Sequence, residues 1–265
     1  MNSGLDIASP ANAFSLLNAR LLAAASQLAY SPGPFTSSTP MPRIVQCAAT
    51  GTQAFVVEYD DAIIIAFRGT TDVRDWLTNA EFWRTRLTFG SSAMEIHAGF
   101  LIGIESVNWE LRDAVIGKNK PIYITGHSLG GALAQLCALR FLQSGQSVKG
   151  VYTYAQPRVG NAAFRSFYNA WLGFITWRFC AAGDLVPLLP GIFTPPFDGY
   201  RHAGHEVFLS NGIHINLPRK TEIALDAWRA WRAICRGDLD FLLQFHSIMG
   251  NYLAELNRCS VYTKP

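Results

Sequence analysis

The chain has 265 residues, 49% of them hydrophobic and 15% charged, with a formal net charge of +3. A chain this long can bury roughly 70–75% of its unfolded surface, so it needs no staples, and the length suits one large α/β domain or two small ones. The composition excludes a disordered chain. The charge is too small and scattered to point to nucleic acid, and no run reaches the ~18 apolar residues of a membrane span.

In chain order, residues 11–30 place Phe14, Leu17, Leu21, Ala25 and Leu28 on one helical face. Pro32, Pro34, Pro40 and Pro42 make the next stretch a loop. "AFVVEYD" and "AIIIAFRGT" read as two strands joined in a hairpin at Asp60-Asp61. In "TDVRDWLTNAEFW", Val73, Trp76, Leu77 and Ala80 share one face of a short helix that Asp72 can cap. Residues 100–116 read as a helix, and "PIYITG" as an apolar strand covered on both faces. From there strands and helices alternate: helix "LGGALAQLCALRFLQS", strand "VKGVYTYA", helix "NAAFRSFYNAWLG", strand "ITWRFCA". "YRHAGHEVFL" adds one more strand, and residues 221–236 and 239–257 two helices. This alternation predicts a parallel sheet with right-handed crossovers in a single domain.

The five cysteines form no CxxC pair, which argues against a zinc site, and their odd number leaves at least one free thiol. The N-terminus lacks a basic segment followed by an apolar core, so no signal peptide is expected and the chain reads as cytoplasmic, or as secreted if a signal was trimmed.

Between "PIYITG" and the small-residue helix, Gly126-His127-Ser128-Leu129-Gly130 fits G-x-S-x-G. In such an elbow the serine sits on a strained strand-to-helix turn whose flanks have no room for a Cβ. The turn exposes the hydroxyl, the helix N-terminus stabilises developing negative charge, and the Leu129 N–H is an oxyanion donor. A serine needs a base, and the base an orienting acid. Asp184 ends a strand at the sheet edge where open α/β sheets bind ligands, whereas Asp198, Asp226, Asp238 and Asp240 lie in loops or on helices. His202, His205, His214 and His246 all follow Ser128 and are the candidate bases. "HAGHE" is a weak metal motif, because on a strand His202 and Glu206 share a face that His205 does not. No metal is expected.

The blocks "AFRGT", "HAGF", "ITGHSLGGALA", "YAQPRVGN", "GDLVPLLP" and "RHAGHEVF" resemble, in order, those of the class 3 lipases, over about residues 54–257. The resemblance implies an α/β-hydrolase fold, a mostly parallel central sheet with helices on both faces, with Ser128 as nucleophile and Asp184 as acid. It makes Thr70, after "FRG", the second oxyanion donor. Arg68 and His97 read as structural hydrogen-bonders rather than a substrate ligand or a catalyst, and His127 as a residue packed beside the turn. His246 is the expected base, being the last histidine and opening a helix; His205 is the alternative. The family places an Asp before this histidine and an aromatic after it, but here Gln244-Phe245 precede.

The segment around Val73, Trp76 and Leu77 takes the position of the family's lid, the alternative being an ordinary core-packed helix. Leu188, Leu189, Ile192 and Phe193 line an acyl pocket or simply pack into the core. In "AWRAWRAICR" the tryptophans are expected inward and the arginines solvated, contact with an anionic interface being the alternative. The expected protein is a monomeric, cofactor-free lipase with transient lipid-surface contact. The rivals are an esterase on soluble short-chain or aryl esters and a binding module on an inactive scaffold.

Overall fold

In this computed structural model the described residues are 1–31, 40–70, 83–190, 199–216, 224–226, 228–229, 232, 236, 243 and 245–259. The framework is an eight-stranded sheet in the order β1 (Arg43–Cys47), β2 (Thr52–Glu58), β3 (Ile63–Phe67), β6 (Ile122–His127), β7 (Val148–Tyr154), β8 (Thr176–Ala181), β9 (His205–Leu209), β10 (Ile213–Ile215). The expected hairpin at Asp60-Asp61 pairs β2 with β3. From β3 to β9 every neighbour is parallel, while β1, β2 and β10 run antiparallel at the two edges. A separate hairpin joins β4 (Arg84–Phe89) to β5 (Ser92–His97).

The parallel strands are β-branched and aromatic because both faces are covered, so alternate residues enter two different cores. Ile63, Ile65, Phe67, Ile122 and Ile124 pack with α2 (Ala98–Val115) and α3 (Leu129–Gln143). Ile64, Tyr123, Tyr152 and Tyr154 pack on the opposite face with α1 (Leu16–Leu28) and with Tyr252 and Leu256 near the C-terminus. Small residues let α3 lie against the sheet, and Gly130 to Leu139 are all buried. Next, α4 (Ala162–Trp171) begins where the Asn161 side chain accepts from Phe164 N at 3.0 Å. Of the expected helix 239–257, the described C-terminal part is a π-helical turn, Ile248–Leu253, followed by α5 (Ala254–Arg258).

Two expectations about side-chain direction are corrected. The buried face of α1 is Asn18, Ala19, Leu22, Ala23 and Ser26, and Leu17 and Leu28 are exposed. The sheet beneath presents bulky tyrosines and Thr125, so a face of small residues allows the closer approach. Tyr154 Oη donates to Ala19 O at 2.5 Å, and Ser26 Oγ lies 2.8 Å from Thr125 Oγ1. Trp228 is not packed inward; it is half-exposed, with the Arg232 guanidinium 4.7 Å from its ring centre. Cys47, Cys137 and Cys259 are free thiols, and Cys180 Sγ accepts from Arg178 Nη1 at 2.9 Å. Among the described residues no helix is long and apolar enough to cross a membrane.

Candidate active site

The elbow has the geometry its glycines predict. Ser128, between the end of β6 and the start of α3, has φ 57° and ψ −129°, a conformation that costs a non-glycine residue ~1–3 kcal/mol. Packing holds it there. A Cβ on Gly126 would overlap the Gly130 carbonyl, and one on Gly130 would overlap the Phe67 carbonyl oxygen. Ser128 N donates to Tyr154 O at 2.9 Å, and Ser128 O accepts from Gly131 N at 2.9 Å. The serine is fully buried, and its Oγ has no hydrogen-bond partner among the described residues.

Asp184 lies three residues beyond β8, where Gly183 takes φ +82° and Asp184 N donates to Ala181 O at 3.2 Å. Its carboxylate is fully engaged. Oδ1 accepts from Val186 N at 3.0 Å, Oδ2 accepts from Tyr252 Oη at 2.5 Å, and His246 Nδ1 lies 3.1 Å from both oxygens. With Nδ1–H turned to the carboxylate, Nε2 keeps its lone pair; it is buried and has no hydrogen-bond partner among the described residues. The His246 ring stands 4.6 Å from that of His127, the residue before Ser128. The structure thus brings His246 to Asp184 and alongside the elbow. Phe245, which precedes the histidine, packs over Gly183.

The other candidate bases lie elsewhere. His205 stacks on Trp177 at 4.7 Å, and its Nδ1 is 3.0 Å from Asn216 Nδ2. His202 Nε2 lies 2.6 Å from Pro187 O, and His214 Nε2 3.2 Å from Ser210 O. Glu206 of "HAGHE" is committed to Arg178 at 2.9 Å. Asp226 pairs with Arg229 at 3.3 Å, while Asp198, Asp238 and Asp240 fall outside the described residues. His97 caps α2, its Nδ1 accepting from Phe100 N at 3.4 Å, and burial pushes its pKa down to about 4. Burial, and then the nearby His246, hold the His127 pKa well below the ordinary histidine value. A neutral His127 puts no second positive charge beside the His246 imidazolium that proton transfer would create.

On the oxyanion side, α3 points its N-terminal N–H groups at the elbow, Leu129 being first. Phe67 pairs with Gly126, so Arg68, Gly69 and the half-buried Thr70 emerge at the same sheet edge. Gly69 has no room for a side chain, because a Cβ there would overlap Tyr30 Oη and come within 2.6 Å of His127 O. Tyr30 Oη also lies 2.9 Å from His127 Nδ1. Tyr30 and Tyr252 escape a reading of the sequence, since nothing in their local pattern separates them from core tyrosines. Val73, Trp76 and Leu77 of the expected lid fall outside the described residues, as do Ile192 and Phe193. Leu188 and Leu189 are described, and both are buried.

Chemically, a hydroxyl fixed on an elbow, an imidazole oriented by a carboxylate and N–H groups at a helix end can perform acyl transfer. Residues 64–194 match the family Lipase (class 3). A lipase of Rhizomucor miehei is 36% identical over 171 residues, covering 60% of this chain and 46% of its own length. Secreted mono- and diacylglycerol lipase 1 of Fusarium solani is 35% identical over 171 residues, covering 62% of this chain and 49% of its own. The chain therefore spans about half the length of these curated relatives. The solved Rhizomucor miehei triacylglyceride lipase superposes with a TM-score of 0.61 at 30% identity, over 72% of this chain and 77% of that one. Motif order, fold and elbow geometry agree with these likenesses, and the chain belongs to the class 3 lipases.

Proposed function

We propose that the protein is a serine carboxylic ester hydrolase, a lipase that cleaves acylglycerol esters through an acyl-enzyme. The observation that carries the reading is the buried Asp184–His246 pair, which leaves Nε2 bare next to His127 of the elbow on which Ser128 is strained. Ser128 Oγ attacks the ester carbonyl while His246 Nε2 takes its proton, and Asp184 stabilises the imidazolium that forms. The N–H groups of Leu129 and Thr70 receive the oxyanion, each such donor lowering the barrier by ~3 kcal/mol. The tetrahedral intermediate collapses, the alcohol leaves with the proton from Nε2, and water cleaves the acyl-enzyme by the same steps. The names of the relatives support acylglycerols as the substrate class. The segment bearing Val73, Trp76 and Leu77 serves as the lid, on the strength of its apolar face and its place after the oxyanion loop, and a monomer suffices for the chemistry.

Hydrolysis of a p-nitrophenyl ester and labelling by a fluorophosphonate test the reading. Both should be abolished by Ser128→Ala, and Asp184→Asn should lower kcat by ~10⁴-fold in a folded protein. No turnover and no labelling of the unaltered chain would leave a binding module on an inactive scaffold. Rate should jump as a triacylglycerol passes its solubility limit; flat saturation, best on short chains, would instead identify an esterase on soluble substrates.

A further inference from the structure

At the β8–β9 side of the sheet the described residues line a cavity of about 570 Å³, a size suited to a small organic ligand. Its walls come from separate elements: Arg158 from the loop after β7, Arg165 and Asn169 from α4, Arg178 from β8, Arg201 from the loop before β9, and Glu206 from β9. Four guanidinium groups thus face one carboxylate. The +3 balance of the described lining equals the net charge of the whole chain.

Among the described residues, internal partners leave this charge largely uncompensated. Arg178 is 3% exposed; its Nη2 donates to Glu206 and its Nη1 to Cys180 Sγ, each at 2.9 Å. Its Nε is buried with no hydrogen-bond partner among the described residues. Half-buried Arg158 donates from Nη1 to Pro190 O at 3.1 Å, and exposed Arg201 from Nη1 to Tyr200 O at 3.0 Å. These are neutral carbonyls, and neither cation has a carboxylate partner among the described residues. Burial, together with the charges of Arg178 and Arg201, lowers the Arg158 pKa to about 10. Such strain is rare in a guanidinium and is relieved by an anion.

We propose that this cavity is a binding site for a phosphate group carrying two negative charges. A carboxylate is planar and is satisfied by one guanidinium fork. A tetrahedral phosphate accepts from several directions at once, as donors from four separate elements require. The cavity is larger than the bare anion, so the phosphate arrives on an organic group, either a soluble phosphate monoester or the headgroup of an anionic lipid. Ester hydrolysis at Ser128 is no part of the inference.

Calorimetric titration at low salt with inorganic phosphate and glycerol 3-phosphate, and flotation with phosphatidylcholine vesicles with and without phosphatidic acid, test it. Saturable binding is expected. It should weaken by ~10-fold or more in the double variant Arg165→Gln, Arg201→Gln. Both positions are exposed, so the melting temperature without ligand should stay unchanged. Binding of glycerol 3-phosphate identifies a soluble ester as ligand. Flotation with phosphatidic acid alone, abolished by the same substitutions, identifies a lipid headgroup. Absence of saturable binding in every arm, binding undiminished in the double variant, or equal affinity for malonate overturns the proposal.

Discussion

Replacing Tyr252 by Phe removes one oxygen atom from a side chain that is 0% exposed, with no change of shape in the core. That oxygen serves two partners. It donates to the Asp184 carboxylate at 2.5 Å and accepts from Ala181 N at 3.1 Å. A hydrogen bond to a charged group contributes ~1.5–3 kcal/mol, and an amide left unpaired in a buried site costs ~1–3 kcal/mol. The two effects share one atom and overlap, so a net loss of ~3 kcal/mol is expected. For a domain of this size that lowers Tm by about 6–12 °C, readable by calorimetry. The carboxylate keeps Val186 N–H and His246 but loses its anchor at Oδ2. Its misplacement by a fraction of an ångström should lower kcat for a p-nitrophenyl ester by ~10-fold, with little change in KM. That is far less than the loss expected from Asp184→Asn. A variant with Tm within about 1 °C of the parent and unaltered kcat would refute the reasoning.

Three further outcomes follow from the same packing. His97 is buried neutral with a pKa of about 4 against 6.5 unfolded, so only the unfolded chain takes up this proton as pH falls from 6.5 towards 4. Stability should therefore drop across that window by ~3 kcal/mol, from ~1.4 kcal/mol per pH unit, with His127 adding to the slope. Denaturant melts of His97→Asn, which retains a capping side chain, should show a shallower fall. Gly130→Ala drives a methyl group into the Phe67 carbonyl and should separate the elbow from the oxyanion loop. A ~10²-fold lower kcat is expected, together with ~1–3 kcal/mol lost in urea melts. His246→Ala should abolish fluorophosphonate labelling of Ser128, whereas His205→Ala should leave it intact, because His205 is held by Trp177 and Asn216.

The sequence by itself determined whatever depends on neighbours in the chain. The β-branched run of β3 and the apolar "PIYITG" announce buried parallel strands, because a strand covered on both faces needs no polar residues. The elbow is equally local, since Gly126, Ser128 and Gly130 lie within five residues and their backbone constraints are mutual. Asp184 was legible as a residue at a strand end. The tertiary structure decided what depends on distant partners. The four downstream histidines could be ranked only by position and resemblance until folding set His246 against Asp184 and His205 against Trp177. The α1 face was misjudged because hydrophobic periodicity records greasiness, whereas the tyrosine-lined sheet beneath selects for small side chains. The β4–β5 hairpin escaped notice because only Leu87, Met94, Ile96 and His97 of its strands are buried, too sparse a pattern to read. Tyr30 and Tyr252, which brace Gly69 and Asp184, and the four arginines around one cavity are separated by tens to hundreds of residues in sequence. No local pattern encodes such groupings; they arise only when the sheet order brings the ends of different strands to one edge.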